Sequence, residues 1–384
     1  MLEVIILTRA FSNCVRCRKL HYAKQFSSSR SHSRILFSSI SNGENTTAGK
    51  KRIVFLGTPE VAAQCLRDIY KDSMKGGSPY EIVSVITQPP KRRKRKGKIT
   101  PSPVGLVAHE LGIPTLSPEK ARDTNFLDDL ENNVRPDLCI TAAYGQYLPK
   151  RFLATPIYGT VNIHPSILPR WRGASPVQRS LEAGDNPVGV SVLFTVSKMD
   201  AGPIIVQEKI EIDKDDQAAT VLPLLFNIGT KRLIKILPDL LNGNTTMETA
   251  KDQDECLVKE ASMIGADEAE LKLWEESALT CHNRMRGFSV WPGTFLYLQL
   301  DDEKPMKVKI AETRVLGETT EATQVIEKGP GKGDGLRLVC ADGSILEVLR
   351  LQPATRKEMD AKSFVNGWQG RTARWVIPAA EEEG

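Results

Sequence analysis

The strongest constraint on this chain is a repeated pairing: short apolar runs alternate with segments whose apolar residues recur at helical spacing. A strand over 52–56 is read from the apolar run Ile53, Val54, Phe55 and Leu56 after the charges Lys51 and Arg52, as a strand buried on both faces requires. Gly57 turns the chain, and Pro59 opens a helix in which Val61, Ala62, Cys65, Leu66 and Ile69 share one face. The pattern predicts further strands at 81–87, 136–143, 160–164, 188–196 and 204–212. It predicts helices near 103–111 and 123–132 and a long one over 218–240. Strands and helices in alternation demand an α/β domain with a mostly parallel sheet, here over 49–245. Residues 246–260 are polar and aperiodic and read as a linker. Beyond them, over 261–376, short runs with partial alternation are separated by Gly, Pro or charges, which predicts a small β-barrel domain.

The first 48 residues stand outside this pattern. They are rich in Ser and Arg, with seven basic residues (Arg9, Arg16, Arg18, Lys19, Lys24, Arg30, Arg34) and two acids (Glu3, Glu44). The formal charge of +5 therefore sits entirely in this segment, and the remainder of the chain is balanced. This is the composition of an organelle transit peptide, with the mitochondrial matrix favoured and the plastid as the alternative; the other reading is a tail without an address. A polyanionic partner must be met by local patches rather than a global field. No run of about 18 apolar residues exists, so no membrane insertion is expected.

Two chemistries are disfavoured. A dinucleotide site needs G-x-G-x-x-G after the first strand, whereas "FLGTPEVA" has one glycine. Cys14 and Cys17 form a lone C-x-x-C inside the leader, and Cys65, Cys139, Cys256, Cys281 and Cys340 are scattered, so neither a disulfide framework nor a metal is expected.

The stretch "VNIHPSILPRWRGASPVQRSL" (161–181) carries most of the chemistry. Asn162 and His164 are two apart on an extended segment, so both point the same way, and Pro165 ends the strand. They sit at the carboxyl end of a strand, where open α/β sheets place ligands. Asp200 follows in a loop beside Gly202 and Pro203. Such a trio suits acyl transfer to an amine. An imidazole can take the proton, a carboxamide N–H can hold the developing oxyanion, and a carboxylate can orient the imidazole. On spacing alone, a structural N-x-H and a turn Asp remain open.

Residues 91–98, "KRRKRKGK", hold seven basic residues in eight: Lys91, Arg92, Arg93, Lys94, Arg95, Lys96 and Lys98. The run is either a solvated charge cluster or a phosphate-neutralising loop at the same sheet edge as His164. Arg172, with Arg170 beside the candidate catalytic strand, can face an RNA terminus or a ligand tail. The second domain adds Arg284, Arg286, Lys307, Lys309 and Arg314, with Lys307 and Lys309 alternating onto one strand face. Trp274 and Trp291 are expected in core or hinge packing.

"FLGTPEVA", "AAYGQYLP", "NIHPSILPRWRGASPVQRSL", "MDAGPI", "RGFSVWPGTF" and "LQPATRKEMDAKSFVNGWQGR" occur in an order that resembles the folate-dependent formyltransferases, and among them the methionyl-tRNA formyltransferase family, over about 51–373. The resemblance implies a Rossmann-like formyltransferase domain followed by an OB-like barrel that binds tRNA. It implies 10-formyltetrahydrofolate as formyl donor, initiator methionyl-tRNA as partner, and Asn162, His164 and Asp200 as catalytic residues. It also matches Ser166, Ile167, Leu168 and Pro169 to a folate-contacting turn, and the "AAYGQYLP" stretch with Tyr144 and Gly145 to the pterin pocket. A monomer is expected. The basic 91–98 loop and the segment before the barrel depart from the usual wording of the family.

Overall fold

The computed structural model describes residues 49–92, 98–331 and 333–377. The predicted leader and the basic residues Arg93, Lys94, Arg95 and Lys96 lie outside the described residues. β1 (Lys51–Gly57) leads into α1 (Glu60–Ser73) and β2 (Tyr80–Ile86). A short hairpin, β3 (Lys91–Arg92) with β4 (Ile99–Thr100), precedes α2 (Pro103–Glu110), β5 (Thr115–Leu116) and α3 (Thr124–Asp129). Then come β6 (Leu138–Ala142), α4 (Lys150–Leu153), β7 (Thr160–His164), β8 (Arg170–Gly173), α5 (Pro176–Glu182), β9 (Val188–Phe194), β10 (Ile204–Ile210) and α6 (Ala218–Leu241).

Seven of these strands form one sheet in the order β10-β9-β7-β6-β1-β2-β5. The strands from β5 to β7 are parallel, whereas β9 runs antiparallel to β7 and β10 antiparallel to β9. The continuous apolar run of β1 now has its cause. Ile53 and Phe55 pack among side chains of α1 and α6, while Val54 and Leu56 pack among Phe126, Leu127 and Phe152 on the other face. Each such side chain contributes roughly 1.5–3 kcal/mol by leaving water, and no position in the run can be polar without forfeiting it. α2 starts where Ser102 accepts the Gly105 N–H and Pro103 fills the first turn, the capping chemistry its sequence announces. The strand order reverses between β1 and β6, so the carboxyl ends of β1, β6 and β7 open the crevice of the domain.

The second half comprises β11 (Lys259–Ala261), α7 (Ala278–Phe288), β12 (Thr294–Leu300), β13 (Met306–Thr319), β14 (Glu327–Lys328), β15 (Leu336–Val339), β16 (Ser344–Pro353), β17 (Met359–Asp360), α8 (Ala361–Asn366) and β18 (Ala373–Val376). Its sheet runs β14-β15-β16-β13-β12-β18. Ile326 N–H donates to the Ala373 carbonyl at 2.9 Å and Trp375 N–H to Gln324 at 3.0 Å, which curls the ends together into a nearly closed antiparallel barrel. β12 shows strict two-residue alternation: Leu296, Leu298 and Leu300 face the core, and Phe295, Tyr297 and Gln299 face outward.

A seam joins the halves. The imidazole of His282 on α7 lies between Thr313 Oγ1 (2.9 Å from Nδ1) and the Lys214 carbonyl (3.1 Å from Nε2). The nearby Arg286 guanidinium donates to the Asp216 carbonyl at 2.7 Å and to Asn283 Oδ1 at 3.0 Å. The segment read as a linker is ordered and woven into the first domain. Lys251 and Ile204 exchange both backbone hydrogen bonds, and β11 pairs in parallel with β8.

Candidate active site

Residues 160–164 enter the sheet between β6 and β9, and their side chains alternate. Val161 and Ile163 go to the core, and Asn162 and His164 emerge at the carboxyl end. Thr141 on β6 donates its hydroxyl to Asn162 Oδ1 at 2.8 Å. That fixes the carboxamide with its nitrogen outward, 3.5 Å from Asp200 Oδ1. His164 is 4% exposed. Its Nε2 lies 2.9 Å from the Trp171 carbonyl, which can only accept, so Nε2 carries the hydrogen and the neutral ring keeps its lone pair on Nδ1. Nδ1 stands 3.7 Å from Asp200 Oδ1. Asp200, distant in the chain, thus meets Asn162 and His164 at one sheet edge.

Asp200 is held in the left-handed region at φ 48°, an uncommon conformation for a residue with a side chain. Its Oδ2 accepts the Gly173 N–H at 3.0 Å. Only glycine serves at 173 and 202. Gly173 has φ 132° and a Cβ there would lie 2.5 Å from the Ala261 carbonyl; at Gly202 a Cβ would collide with the Phe194 carbonyl. The turn after His164 is equally fixed. Ser191 Oγ donates to the Ser166 carbonyl at 2.7 Å and receives the Leu168 N–H at 3.2 Å, and Gln207 Nε2 donates to the Leu168 carbonyl at 2.9 Å. The Trp171 indole and the Arg170 guanidinium both grip Asp185, at 2.6 and 2.6–2.8 Å. Burial pushes the Asp185 carboxyl up, but these partners outweigh it and hold it below the usual carboxylate range. Beside this turn lies a cavity of about 700 Å³, walled by Ser166, Ile167, Leu168, Pro169, Pro187 and Gln207 among others.

Residues 51–237 match the family described as "Formyl transferase", and residues 263–369 match "Formyl transferase, C-terminal domain". The chain is 36% identical over 319 residues to the methionyl-tRNA formyltransferase of Listeria innocua, covering 82% of this chain and 95% of that protein. Identity to the Bacillus velezensis methionyl-tRNA formyltransferase is 34%, with 82% and 94% coverage. This chain belongs to the methionyl-tRNA formyltransferase family. Solved structures share the fold at lower identity. They include WlaRD, a sugar 3N-formyl transferase (TM-score 0.57, 17% identical, 81% of this chain and all of that one), and an N-formyltransferase from Helicobacter canadensis (0.56, 15%, 79% and all).

The other residues that the formyltransferase resemblance or charge singled out are distributed unequally. Ser166–Pro169 line the cavity. The Tyr144 ring does not: it packs with Leu56, Ile86 and Phe152 in the core, where burial pushes its hydroxyl up to about 12. Gly145 offers its carbonyl to Gln88 Nε2 at 3.2 Å. Lys91, Arg92 and Lys98 are exposed at the hairpin, and the Lys91 ammonium donates to Gln88 Oε1 at 2.7 Å.

Three arginines expected at RNA are turned inward. Arg172 is buried and binds Gln253 and Glu255. Arg284 forms a two-pronged pair with Glu276, both contacts at 2.6 Å. Arg286 is locked in the seam. Each guanidinium would have to give up these partners to reach a phosphate, which is costly for the buried Arg172 and Arg286 and the largely buried Arg284 side chain. Arg314 is likewise engaged by Glu347 and Asp334. Lys307 and Lys309 do share the barrel's outer face, with Lys307 over the Phe295 ring. Trp274 packs against the barrel core, whereas Trp291 is 53% exposed after the last turn of α7, contrary to the expectation of burial. Among the described residues no cluster of His, Cys, Asp and Glu is arranged to hold a metal ion, and no helix is long and apolar enough to cross a membrane.

Thr141, Ser191, Gln207, Gln253 and the Trp171 carbonyl support the site and were not singled out from sequence. Ser191 alone carried a signal, as a polar residue in the otherwise apolar and glycine run "VGVSVLF".

Proposed function

We propose that this chain transfers the formyl group of 10-formyltetrahydrofolate to the α-amino group of initiator methionyl-tRNA, within an organelle, the mitochondrial matrix ahead of the plastid. The observation that carries the chemistry is the meeting of Asn162, His164 and Asp200 within 3.5–3.7 Å at the carboxyl edge of the sheet. The cavity beside the Ser166–Pro169 turn is of the size that ligand pockets take and has a mixed apolar and polar wall, which supports a ligand site next to the trio, although Asn162, His164 and Asp200 do not line it.

Bound formyl-folate supplies an activated acyl carbon, so no serine or cysteine nucleophile is required. As the amine nitrogen bonds to that carbon, the Asn162 Nδ2 hydrogens are placed to hold the oxygen that gains charge, an effect worth roughly 3–4 kcal/mol in comparable sites. Because Nε2–H is committed to the Trp171 carbonyl, the amine proton goes to Nδ1 of His164, directly or through one water. Asp200 beside Nδ1 stabilises the imidazolium, which returns the proton to the departing nitrogen as the old C–N bond breaks.

For RNA, the exposed Lys91, Arg92 and Lys98 frame the basic loop, and Lys307 and Lys309 lie opposite Tyr297 and Phe295 on the barrel. These replace Arg172, Arg284 and Arg286 as the phosphate-binding groups. The organelle rests on the leader's composition and on a family match that begins at residue 51. A single chain is proposed as the working unit; sedimentation equilibrium checks it.

The direct test offers radiolabelled formyl-folate with charged initiator tRNA, uncharged tRNA or a small primary amine. Label on charged tRNA alone is expected. Equal transfer to the small amine would move the protein to another acceptor class. Residues 1–48 fused to a fluorescent protein should enter isolated mitochondria, and entry into plastids alone would reverse the address.

A further inference from the structure

We infer that Gln253, carried on the segment between the two domains, is a positioning residue that sets the backbone bearing Asp200, with Arg172 as its anchor. This rests on the reading of Asp200 as catalytic. The Gln253 amide is fully used. Its Nε2 donates to the Asp200 carbonyl at 2.8 Å and to the Gly202 carbonyl at 2.7 Å. Its Oε1 receives Nε and Nη2 of Arg172 at 3.0 and 2.9 Å. Carbonyls only accept and a guanidinium only donates, so the amide has one possible orientation. The third arm of Arg172, Nη1, reaches Glu255 Oε1 at 2.9 Å, and Glu255 Oε2 takes Lys198 Nζ at 2.7 Å.

The loop is therefore straddled. Lys198 ties down its start, the two carbonyls around Asp200 and Gly202 are pinned at its centre, and the Lys251–Ile204 backbone pair closes its end. All of these partners sit on residues 251–255 or are held by them. The same chain continues into β11, beside which β8 presents Arg172 and the Gly173 N–H that holds Asp200 Oδ2. Among the described residues the Asp200 side chain accepts one short hydrogen bond, 3.0 Å from the Gly173 N–H, and one long one, 3.5 Å from Asn162 Nδ2, with His164 Nδ1 at 3.7 Å. Its place is thus set mainly by its backbone, in a left-handed conformation that the strap maintains. A displacement of about 1 Å at a reacting group can cost on the order of 100-fold in rate.

The test uses the full chain in formyl transfer from 10-formyltetrahydrofolate to methionyl-tRNA. Gln253→Glu keeps the oxygen that Arg172 binds and removes both donors to the Asp200 loop. Turnover should fall about 10–100-fold, with both Michaelis constants within about threefold of wild type. Gln253→Met, of similar size and without hydrogen bonds, serves if the carboxylate unfolds the strap. The decisive comparison is with Asp200→Ala: the same Gln253 substitution made in that background should cost nothing more. Wild-type turnover in a folded Gln253 variant overturns the inference, as does an equal further loss on top of Asp200→Ala. Wild-type turnover by Asp200→Ala alone would instead sink the underlying reading of the crevice, so the two failures are told apart.

Discussion

The crevice and the interdomain seam are each built around a buried histidine, and burial alone does not separate them: His164 is 4% exposed and His282 is 2%. What differs is what each ring has left over. Both nitrogens of His282 are engaged, by Thr313 and by the Lys214 carbonyl, with the Asp215 carboxylate 3.4 Å from Nε2 and the Arg286 charge nearby. His164 has one nitrogen fixed on a carbonyl and the other turned to a carboxylate that is itself loosely held. The first arrangement consumes an imidazole as a strut. The second fixes its tautomer and leaves a site for a proton. A histidine is read as catalytic here because of the nitrogen it keeps available, beside an Asn162 amide nitrogen whose one hydrogen bond, to Asp200, is 3.5 Å long and uses one of its two hydrogens.

The contrast can be broken most sharply by swapping readouts. His164→Ala should lower turnover by at least about 100-fold and leave the melting temperature within a few degrees of wild type. His282→Ala should do the reverse. Leaving the buried Thr313 hydroxyl and the partly buried Lys214 carbonyl without this partner costs about 1–3 kcal/mol, seen as a lower melting temperature, with turnover at 20 °C near wild type. Equal activity losses in the two would erase the distinction.

A smaller effect concerns pH. Burial, the leading cause, pulls the His282 pKa below the ordinary imidazole value, so the folded seam prefers the neutral ring. Between the folded and unfolded values the unfolded chain binds more protons, and stability therefore rises with pH through that window. The contribution is complete above about pH 6.5 and is lost as pH falls towards the depressed folded value. Melting curves from pH 5 to 8 should show this slope in the wild type, reduced in His282→Gln. An unchanged slope would exclude His282 as its source.

The smallest expected effects are those of the exposed cations. Exchanging Lys307 and Lys309 for Gln should raise the Michaelis constant for tRNA a few-fold and leave turnover unchanged. It should also flatten the salt dependence by about one unit of log–log slope for each phosphate no longer neutralised. Arg286→Gln should act instead on stability. A flattened salt slope from Arg286→Gln, with none from the lysines, would restore the arginine to the RNA surface.

The fold was largely legible because each β1-like run is buried on both faces and each helix on one, so hydropathy reports the layers directly. That Asn162 and His164 share a strand face was legible because N-x-H has a period of two and Pro165 marks the strand's end, whereas Asp200 was joined to them only by the formyltransferase resemblance. What was hidden is what long-range contacts decide. Arg172, Arg284 and Arg286 look like surface cations until Gln253, Glu276 and the Asp216 carbonyl are brought to them from distant positions. The strands "RWRG" and "KEA" carry no apolar alternation, and Gln253 sits in a polar stretch indistinguishable from a free linker. Tyr144 lies in a motif but turns its ring into the core.

In the proposed mechanism His164 and Asp200 act as one unit on one proton. The most direct measurement is single-turnover formyl transfer to methionyl-tRNA by His164→Ala, Asp200→Ala and the double variant, with folate binding followed by calorimetry. Groups that work together lose their effect together, so the double variant should be no slower than the worse single one, with folate binding retained. A double loss equal to the product of the two single losses, or a wild-type rate in either single variant, would contradict the account.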